Sequence, residues 1–590
     1  MANLVAALDS YTPKQIGENQ HVEYGWSNDI NEKIVQFFFQ LVRCDDHSRL
    51  IAEHSKLLHT IQGKESQYKK QFVMLYKLIG QTRDILKGKG EQKLAFMQIL
   101  NFYNNGYFNL VMSAIKNFVK IENEHPYGSW KDIKYLCEYV KSQTQDESHP
   151  IIIFSCSLII DQLWTDHKNF NLIKEGSNKN VPISLAARWI PREKSKYGWV
   201  NEIIARIMFN DIVRTEQFSR KKSSAITKAK IKLKQIFTPI SKYLKTTQIN
   251  QCSGDWSSID FNTVTSATMR KQSRAFANKD KKNTTRSNSV DRIQCANNFK
   301  SHIEAAKSDP TNFKVKGRRC NVGDLARDAC NVSTYEDTEI ARINLQWEDN
   351  RKNNHGLENM IACCDTSGSM ECDNKTPLVN AIGLSIRISE LTNESFKNRI
   401  LTFDENAQWI KLNECTNFVE KVKLVKNSRW GFSTNIYKMF DMILDVVVAN
   451  EIPPENVENL ILAIFSDMQI NTAVNIDENS TMVDEYLNTL YENVQKKFRD
   501  AGLRSKFRVP YQPPHILFWN LRSTRGFPVL STVKNVSMLS GYSSVLMNAF
   551  CNKGMEAIKD FKPVNLLEDL LNDNRFNVMD EAIEKFFKDI

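Results

Sequence analysis

The fold of this chain is decided by residues 361–370, IACCDTSGSM. Four residues of apolar character run directly into an acid, three hydroxyl-bearing residues and a glycine. A short apolar run that ends in turn-forming residues predicts a buried strand followed by a loop. Asp365, Ser367 and Ser369 occupy alternate positions of that loop, so it is the first candidate for a functional site.

Short apolar runs alternate with amphipathic stretches through the rest of the C-terminal half. This alternation predicts an α/β fold with a mostly parallel sheet covered by helices on both faces. Ligands of such sheets bind outside the carboxyl ends of the strands, which places residues 365–369 at the binding edge. Strands are predicted at 357–364, 399–403, 408–412, 460–465, 515–520 and 536–539, and helices at 377–391, 436–449 and 484–501.

Residues 30 to about 245 have the pattern of helices. In residues 92–120 the apolar positions recur every three or four residues, and Asn104-Asn105-Gly106 divides the run into two helices. Helices joined by short turns predict an all-helical array of the α-solenoid kind, although no strict repeat period is present. The polar segment 350–356, NRKNNHG, is the predicted linker between the two halves.

Positive charge is concentrated in the middle of the chain. Residues 214–319 contain 24 lysines and arginines against seven acids, a charge of +17, which leaves −6 for the remainder of a chain whose total is +11. A basic segment of this size predicts a polyanion partner, with RNA or DNA as the first candidates, and a solvated helix face with a charged loop is the alternative. The candidate phosphate contacts lie on a predicted basic amphipathic helix at 214–245: Arg220, Lys221, Lys222, Lys228, Lys230, Lys232 and Lys234.

Bulk composition narrows the class of protein. A length of 590 residues predicts two to four domains, and 41% hydrophobic with 25% charged residues is ordinary for a globular chain. The start of the chain lacks a secretory signal pattern, and no apolar run reaches the roughly 18 residues of a membrane span. Twelve cysteines without paired spacing predict reduced thiols. We therefore expect a cytoplasmic protein that does not enter a membrane.

Several chemistries use an acid and hydroxyls after a strand. A Walker loop needs a lysine that does not follow residues 365–369, and a serine nucleophile lacks the GxSxG elbow. An aspartyl-phosphate phosphatase stays an alternative, because an aspartate followed by this hydroxyl and glycine pattern begins such enzymes. That chemistry also needs a lysine and a second acidic pair, whereas Asp467 is the one acid between the strand at 460–465 and Asp477.

A hard cation is the chemistry for which the chain offers a complete set of oxygen ligands. Mg²⁺ takes six oxygens and retains waters, so one or two carboxylates with hydroxyls suffice. Asp365, Ser367 and Ser369 come from one loop, Thr434 precedes a predicted helix, and Asp467 follows the strand at 460–465. The simpler interpretation is that these residues only form turns and cap helices.

Three short motifs, DTSGSM, WGFSTN and FSDM, resemble the metal-ion-dependent adhesion site of von Willebrand factor A domains. The resemblance implies a Rossmann-like A domain, a bound Mg²⁺ (or Mn²⁺ or Ca²⁺) and a free coordination position for a carboxylate of an acidic protein ligand. It assigns hydroxyl ligation to Ser367, Ser369 and Thr434, with Asp365 and Asp467 supporting the ion directly or through water. Such sites bind and rarely catalyse, so no enzymatic activity is expected.

The helical half carries RDILKGKGEQK, GSWKDI and SLAARWIPR, and its combination with an A domain is similar to the TROVE architecture of the Ro autoantigen. A family of plants, fungi and giant viruses shares this layout more closely, which would place a viral member in the host cytoplasm or the virion. The resemblance implies a HEAT-like helical-repeat domain, a linker, an A domain and a helical tail, at residues 1–349, 350–356, 357–555 and 556–590.

Ro-type proteins bind structured or misfolded small RNAs, so the resemblance implies a non-enzymatic ribonucleoprotein scaffold. A metal-dependent protein-interaction module without RNA binding is the alternative from another class.

Overall fold

A computed structural model describes residues 11–177, 180–215, 222–333, 336–428, 431, 434–471, 488–551 and 555–589. Its N-terminal part is a β-hairpin followed by helices, and its C-terminal part contains a mixed sheet of six strands. This multidomain arrangement of a helical half and a sheet-containing half is the one that the sequence predicts.

The elements of the N-terminal part are β1 (Lys14–Ile16), β2 (Val22–Tyr24), α1 (Ile30–Gln40), α2 (Ser48–Ile61), α3 (Lys69–Arg83), α4 (Gln92–Asn104), α5 (Phe108–Val119), α6 (Lys131–Thr144), α7 (Pro150–Lys174), α8 (Ala186–Trp189), α9 (Gly198–Met208), α10 (Asn210–Thr215), α11 (Lys222–Tyr243), α12 (Thr247–Ser253), α13 (Ser266–Phe276), α14 (Val290–Ser308), α15 (Val322–Asn331) and α16 (Asp337–Arg351).

The elements of the C-terminal part are β3 (Met360–Asp365), α17 (Cys372–Leu391), β4 (Arg399–Phe403), β5 (Ala407–Lys411), α18 (Phe418–Asn427), α19 (Ile436–Ala449), α20 (Pro454–Glu458), β6 (Ile461–Ser466), α21 (Leu490–Arg504), β7 (His515–Asn520), β8 (Val536–Ser540), α22 (Met555–Lys559), α23 (Pro563–Leu571) and α24 (Asn577–Asp589).

The sheet has the strand order β5-β4-β3-β6-β7-β8. Neighbouring strands are parallel except β5, which pairs antiparallel with β4 at one edge. Every residue of β3, β6 and β7 is buried, as expected where helices cover both faces and the strands are continuously apolar. The six predicted strands are confirmed, with bounds that differ by at most three residues.

The helix that follows β3 has an irregular start. Asp373, Asn374 and Lys375 have left-handed backbone, with φ of 48°, 57° and 59°. The regular part of α17 therefore begins close to the predicted position, 377. The guanidinium of Arg327 on α15 donates to the Asn374 carbonyl and, at 3.0 Å, to the hydroxyl of Thr376.

The helical half is an array of successive packed helices. The predicted break at residues 104–106 is present, and Gly106 takes the φ of +89° that ends α4. Helix α3 packs against α4, α4 against α5, and α6 against α7. Within the described residues no helix combines the length and apolar composition that a membrane span requires. All twelve cysteines are free thiols, as predicted.

The two halves are joined by packing as well as by the chain. Helices α15 and α16 pack against α17 and α18. The indole of Trp347 on α16 stacks on Phe418 at a centroid distance of 3.7 Å and donates to Glu390 at 2.9 Å. The guanidinium of Arg387 lies 3.6 Å from the Trp347 ring centroid. Helix α16 reaches Arg351, so the predicted linker begins inside the last turn of a helix that shares its core with the sheet-containing half.

Candidate metal centre

Asp365 is the last residue of β3 and is fully buried at the carboxyl edge of the sheet. Its Oδ1 accepts a hydrogen bond from the Ser367 backbone N–H at 2.9 Å. Its Oδ2 accepts from the hydroxyl of Ser466, the last residue of the neighbouring strand β6, at 2.5 Å. The Met468 backbone N–H donates to the same Ser466 hydroxyl at 3.0 Å. The carboxylate is therefore held by the ends of two adjacent parallel strands.

The hydroxyls of Ser367 and Ser369 lie 3.1 Å apart in the loop that leaves β3. Ser367 is fully buried and Ser369 is half-buried, at the start of a short 3₁₀ turn. The Ser369 side chain is among the groups that lower the pKa of Asp467, which directly follows β6 and is fully buried. The Gln469 backbone N–H donates to Asp467 Oδ1 at 3.2 Å. Two carboxylates and two hydroxyls from neighbouring strand ends are thus brought together as predicted.

Thr434 comes from a third segment that meets the same edge. It is buried, and its carbonyl accepts a hydrogen bond at 3.1 Å from the backbone N–H of Asn471, four residues after Asp467. The backbone N–H of Asn435 donates at 2.9 Å to the carbonyl of Asp404, which directly follows β4. Asn435 then caps α19 through its side chain. Thr434 therefore lies on a segment tied to the loops after β6 and β4, and residues 430, 432 and 433 of its motif lie outside the described residues.

Burial and like charge set the electrostatics of this edge. Burial, with the neighbouring Asp467 charge as the second cause, raises the pKa of Asp365 to about 7. Burial also raises the pKa of Asp467, against opposing hydrogen bonds and the charge of Arg522. The Arg522 Nη1 lies 3.5 Å from Asp467 Oδ2. Two buried carboxylates with one partial counter-charge form an environment that a small cation would neutralise.

The donor set fits a hard cation. Carboxylates and hydroxyls are the oxygen ligands of Mg²⁺, Mn²⁺ and Ca²⁺, whereas Zn²⁺ sites are built from cysteine and histidine. In the described part of the chain, no group of three or more His, Cys, Asp or Glu side chains is arranged to hold a metal. The candidate site has two acids and relies on hydroxyls for its other protein ligands.

Ser466 and Arg522 contact the two acids of the candidate site and were not predicted from the sequence. Each stands at the end of a strand that the sequence does predict: Ser466 closes β6, and Arg522 follows β7 by two residues. The rule that strand ends meet at one edge could have found both, because β6 and β7 are parallel neighbours.

The N-terminal hairpin also reaches this edge, a contact that the sequence pattern does not predict. Gln20 forms an antiparallel bridge with Asn471, and the side-chain amide of Asn19 donates to the Gln469 carbonyl at 2.8 Å. The Glu18 carboxylate lies 3.9 Å from Arg522 Nη1. The hairpin therefore contacts the loop that carries Asp467.

The predicted phosphate contacts lie on or next to α11. Arg220 and Lys221 lie outside the described residues, and Lys222 is the first residue of the helix. The helix buries Ala229, Leu233 and Ile240. Lys228, Lys232 and Lys234 are exposed, whereas Lys230 is half-buried and forms an ion pair with Glu202 at 2.8 Å.

Comparison with known proteins gives two regional matches and one full-length relative. Residues 359–583 match the model of a domain of unknown function (DUF7788), and residues 138–349 match that of another (DUF2828). The two matches lie on either side of the predicted linker at 350–356. The chain is 27% identical over 540 residues to Uncharacterized protein L728 of Acanthamoeba polyphaga mimivirus, which covers 89% of this chain and 83% of that protein. This relative confirms the predicted similarity to a giant-virus protein.

Proposed function

We propose that this chain is a non-enzymatic RNA-binding scaffold whose C-terminal part is a von Willebrand A-like domain with a Mg²⁺-dependent adhesion site. Its helical half would be a HEAT-like array of the TROVE type. The observation that carries the proposal is the convergence of Asp365, Ser367, Ser369, Asp467 and the Thr434 segment at the carboxyl edge of one sheet.

The protein residues of the site would hold and orient the ion. Ser367, Ser369 and Thr434 offer hydroxyl oxygens, and the hydrogen bonds from Ser466 and the Ser367 N–H fix the Asp365 carboxylate. A bound cation would supply the positive charge that attracts a carboxylate of an acidic protein ligand. Mn²⁺ or Ca²⁺ could replace Mg²⁺, because all three prefer oxygen ligands.

A phosphatase acting through Asp365 is less well supported. Both oxygens of that carboxylate accept hydrogen bonds, and the cation that contacts the second acid is Arg522 rather than the lysine that the chemistry uses.

RNA binding by the helical half is supported by charge. The basic segment at 214–319 carries +17, and α11 presents exposed lysines from it. Contacts of lysine with phosphate position RNA without reading its sequence.

Isothermal titration of the full chain with Mg²⁺ tests the metal site. The Ser367→Ala/Ser369→Ala double variant should lose Mg²⁺ binding while keeping the wild-type circular dichroism spectrum in EDTA, since the sheet does not depend on these hydroxyls. Ser395→Ala is the matched control, because Ser395 is exposed and precedes β4. It therefore lies near the amino ends of the parallel strands, away from the candidate site at their carboxyl ends. Unchanged Mg²⁺ affinity in the double variant would show that the loop is only a turn.

A further inference from the structure

A group of cations and aromatic rings gathers where α6, α8 and the start of α9 meet. All of its members are half-buried, so each combines contact with the protein and access to water. We call this group the ring–cation cluster, and it consists of Lys131, Lys134, Tyr135, Arg188, Trp189 and Tyr197.

Lys134 lies at the centre of the cluster. Its Nζ is 5.1 Å from the ring centroid of Tyr135, 4.8 Å from that of Trp189 and 5.4 Å from that of Tyr197. The guanidinium of Arg188 is 5.2 Å from the Trp189 ring centroid. Tyr135 and Tyr197 meet edge to face at 5.5 Å. The rings are therefore held at fixed positions beside two cations.

The cations of the cluster form no ion pairs with carboxylates of the described residues. Burial, reinforced by the charge of Lys131, lowers the pKa of Lys134. Burial also lowers the pKa of Lys131, against the opposing charge of Asp132, and it lowers the pKa of Arg188. Of the residues that the structure describes, none with a carboxylate forms an ion pair with Lys131, Lys134 or Arg188. The polar partner of Arg188 is the neutral side chain of Gln248, at 2.7 Å.

The nearby acids are engaged elsewhere. Asp132 accepts hydrogen bonds from Arg83 at 2.6 Å and from Gln92 at 2.5 Å. Glu138 pairs with Lys196 at 3.0 Å and accepts from the Trp199 indole. Three like charges that are partly withdrawn from water and form no ion pair are unfavourable in the free protein, and a bound anion relieves that cost. Such a group indicates a ligand site.

The lysine, arginine and aromatic side chains of the cluster indicate the class of ligand that it would bind. Phosphates contact lysine and arginine, and unpaired bases stack on tyrosine and tryptophan. A duplex hides its bases from stacking, whereas a single strand offers both groups at short intervals. The cluster also adjoins the basic helix, because α11 packs against α8 and α9. A strand of several nucleotides could therefore reach the exposed lysines of α11 as well.

We propose that the ring–cation cluster binds single-stranded RNA, with phosphates at Lys131, Lys134 and Arg188 and a base on the rings of Trp189 and Tyr197. This inference rests on the proposed RNA-binding function and places its main contact site outside the basic segment at 214–319.

Fluorescence anisotropy of the full chain with a labelled single-stranded RNA of about 12 nucleotides, at several salt concentrations, tests the proposal. Lys131→Gln/Lys134→Gln should weaken binding at least tenfold and reduce the slope of log affinity against log salt by about 1.4, for two lost phosphate contacts. Trp189→Leu should weaken binding with the slope unchanged, since stacking releases no counterions. Lys585→Gln/Lys588→Gln, which removes two exposed lysines of α24, is the matched control.

Variants of α11 separate this inference from the function on which it rests. If Lys232→Gln/Lys234→Gln loses RNA while Lys131→Gln/Lys134→Gln binds as wild type does, the cluster is not the site and RNA binding stands on α11. If the wild-type chain binds no RNA, both proposals fail. If a duplex binds as tightly as the single strand, or if the cluster variant loses a phosphopeptide and keeps RNA, the assignment to single-stranded RNA is wrong. Unchanged circular dichroism of each variant confirms that it is folded.

Discussion

Two places in this molecule bring charges of the same sign close together. The charges are negative at the sheet edge and positive in the ring–cation cluster, and the two places differ in burial. At the sheet edge, the acids Asp365 and Asp467 are fully buried and are held by hydrogen bonds from the backbone and from serines. In the ring–cation cluster, Lys131, Lys134 and Arg188 are half-buried, and Lys134 and Arg188 lie beside aromatic rings. The difference in burial fits the two ligands that we propose for these places.

A small ion that sheds water needs oxygens at fixed positions in a closed site, which the strand ends provide. A long polyanion stays hydrated and flexible, and it needs an open surface with mobile cationic side chains. Charges also interact more strongly where water is excluded. Substitutions at the sheet edge should therefore have larger effects than substitutions in the cluster.

Replacing the buried acid should give the largest effect. The pKa of Asp365 is about 7 in the fold, above its ordinary value of 3.8. Without a cation, the folded state therefore retains a proton that the unfolded chain releases, and wild-type stability falls as the pH rises from about 4 to about 7. In EDTA at about pH 8, Asp365→Asn should be more stable than wild type by on the order of 4 kcal/mol, and near pH 4 this difference should vanish.

Saturating Mg²⁺ should instead make the wild type more stable than Asp365→Asn. At the proposed metal site Mg²⁺ would stabilise the wild type by binding to the folded state, and it would leave Asp365→Asn unchanged. Thermal unfolding followed by circular dichroism measures both effects, with Asp445→Asn on the exposed side of α19 as the control. A wild type that is equally stable in EDTA at both pH values would show that the carboxylate pair is not strained in the absence of metal.

The sheet edge was predictable because its residues are close in sequence to strands. A strand end is fixed by the local apolar pattern, and the parallel arrangement places all such ends at one edge. These two facts alone predict which residues meet at the edge: Asp365, Ser367, Ser369 and Asp467. The contacts of Ser466 and Arg522 depend in addition on which strands are neighbours, and that information lies in the packing of the whole sheet.

The ring–cation cluster was not predictable in the same way. Lys134 and Trp189 are far apart in sequence, on α6 and α8, and each has an ordinary local context. Sequence reasoning instead selected the lysine-rich stretch of α11, where charge is dense along the chain. The structure pairs Lys230 of that stretch with Glu202 and leaves Lys134 among rings, a distinction that only tertiary packing creates.

Replacing Arg522, which lies beside Asp467, should have an effect of intermediate size on Mg²⁺ binding. Arg522 partly neutralises Asp467 and would repel a cation bound at the same carboxylate. Arg522→Ala should therefore raise the Mg²⁺ affinity about three- to tenfold, since a unit charge a few ångströms away near a protein surface contributes about 1 kcal/mol or more. Calorimetric titration at fixed ionic strength measures it.

Arg504→Ala, at the exposed end of α21, controls for the loss of one positive charge from the same half of the chain. If Mg²⁺ binds more weakly to Arg522→Ala, the arginine positions Asp467 for the ion instead of competing with it.

The smallest effect is expected in the cluster. Burial lowers the pKa of Lys131, and the charges of Arg83 and Lys271 add to that shift while Asp132 opposes it. Lys131→Met keeps the aliphatic stem and removes the unpaired charge, so it should stabilise the free protein by about 0.5 kcal/mol, a small value because the side chain still contacts water. Chemical denaturation measures the free energy of unfolding.

Lys230→Met is the matched control, because it breaks the ion pair with Glu202 and should not increase the free energy of unfolding. A destabilised Lys131→Met would mean that the lysine already has its counter-charge within the fold, and the cluster would then lack the unmatched charge that distinguishes it from the sheet edge.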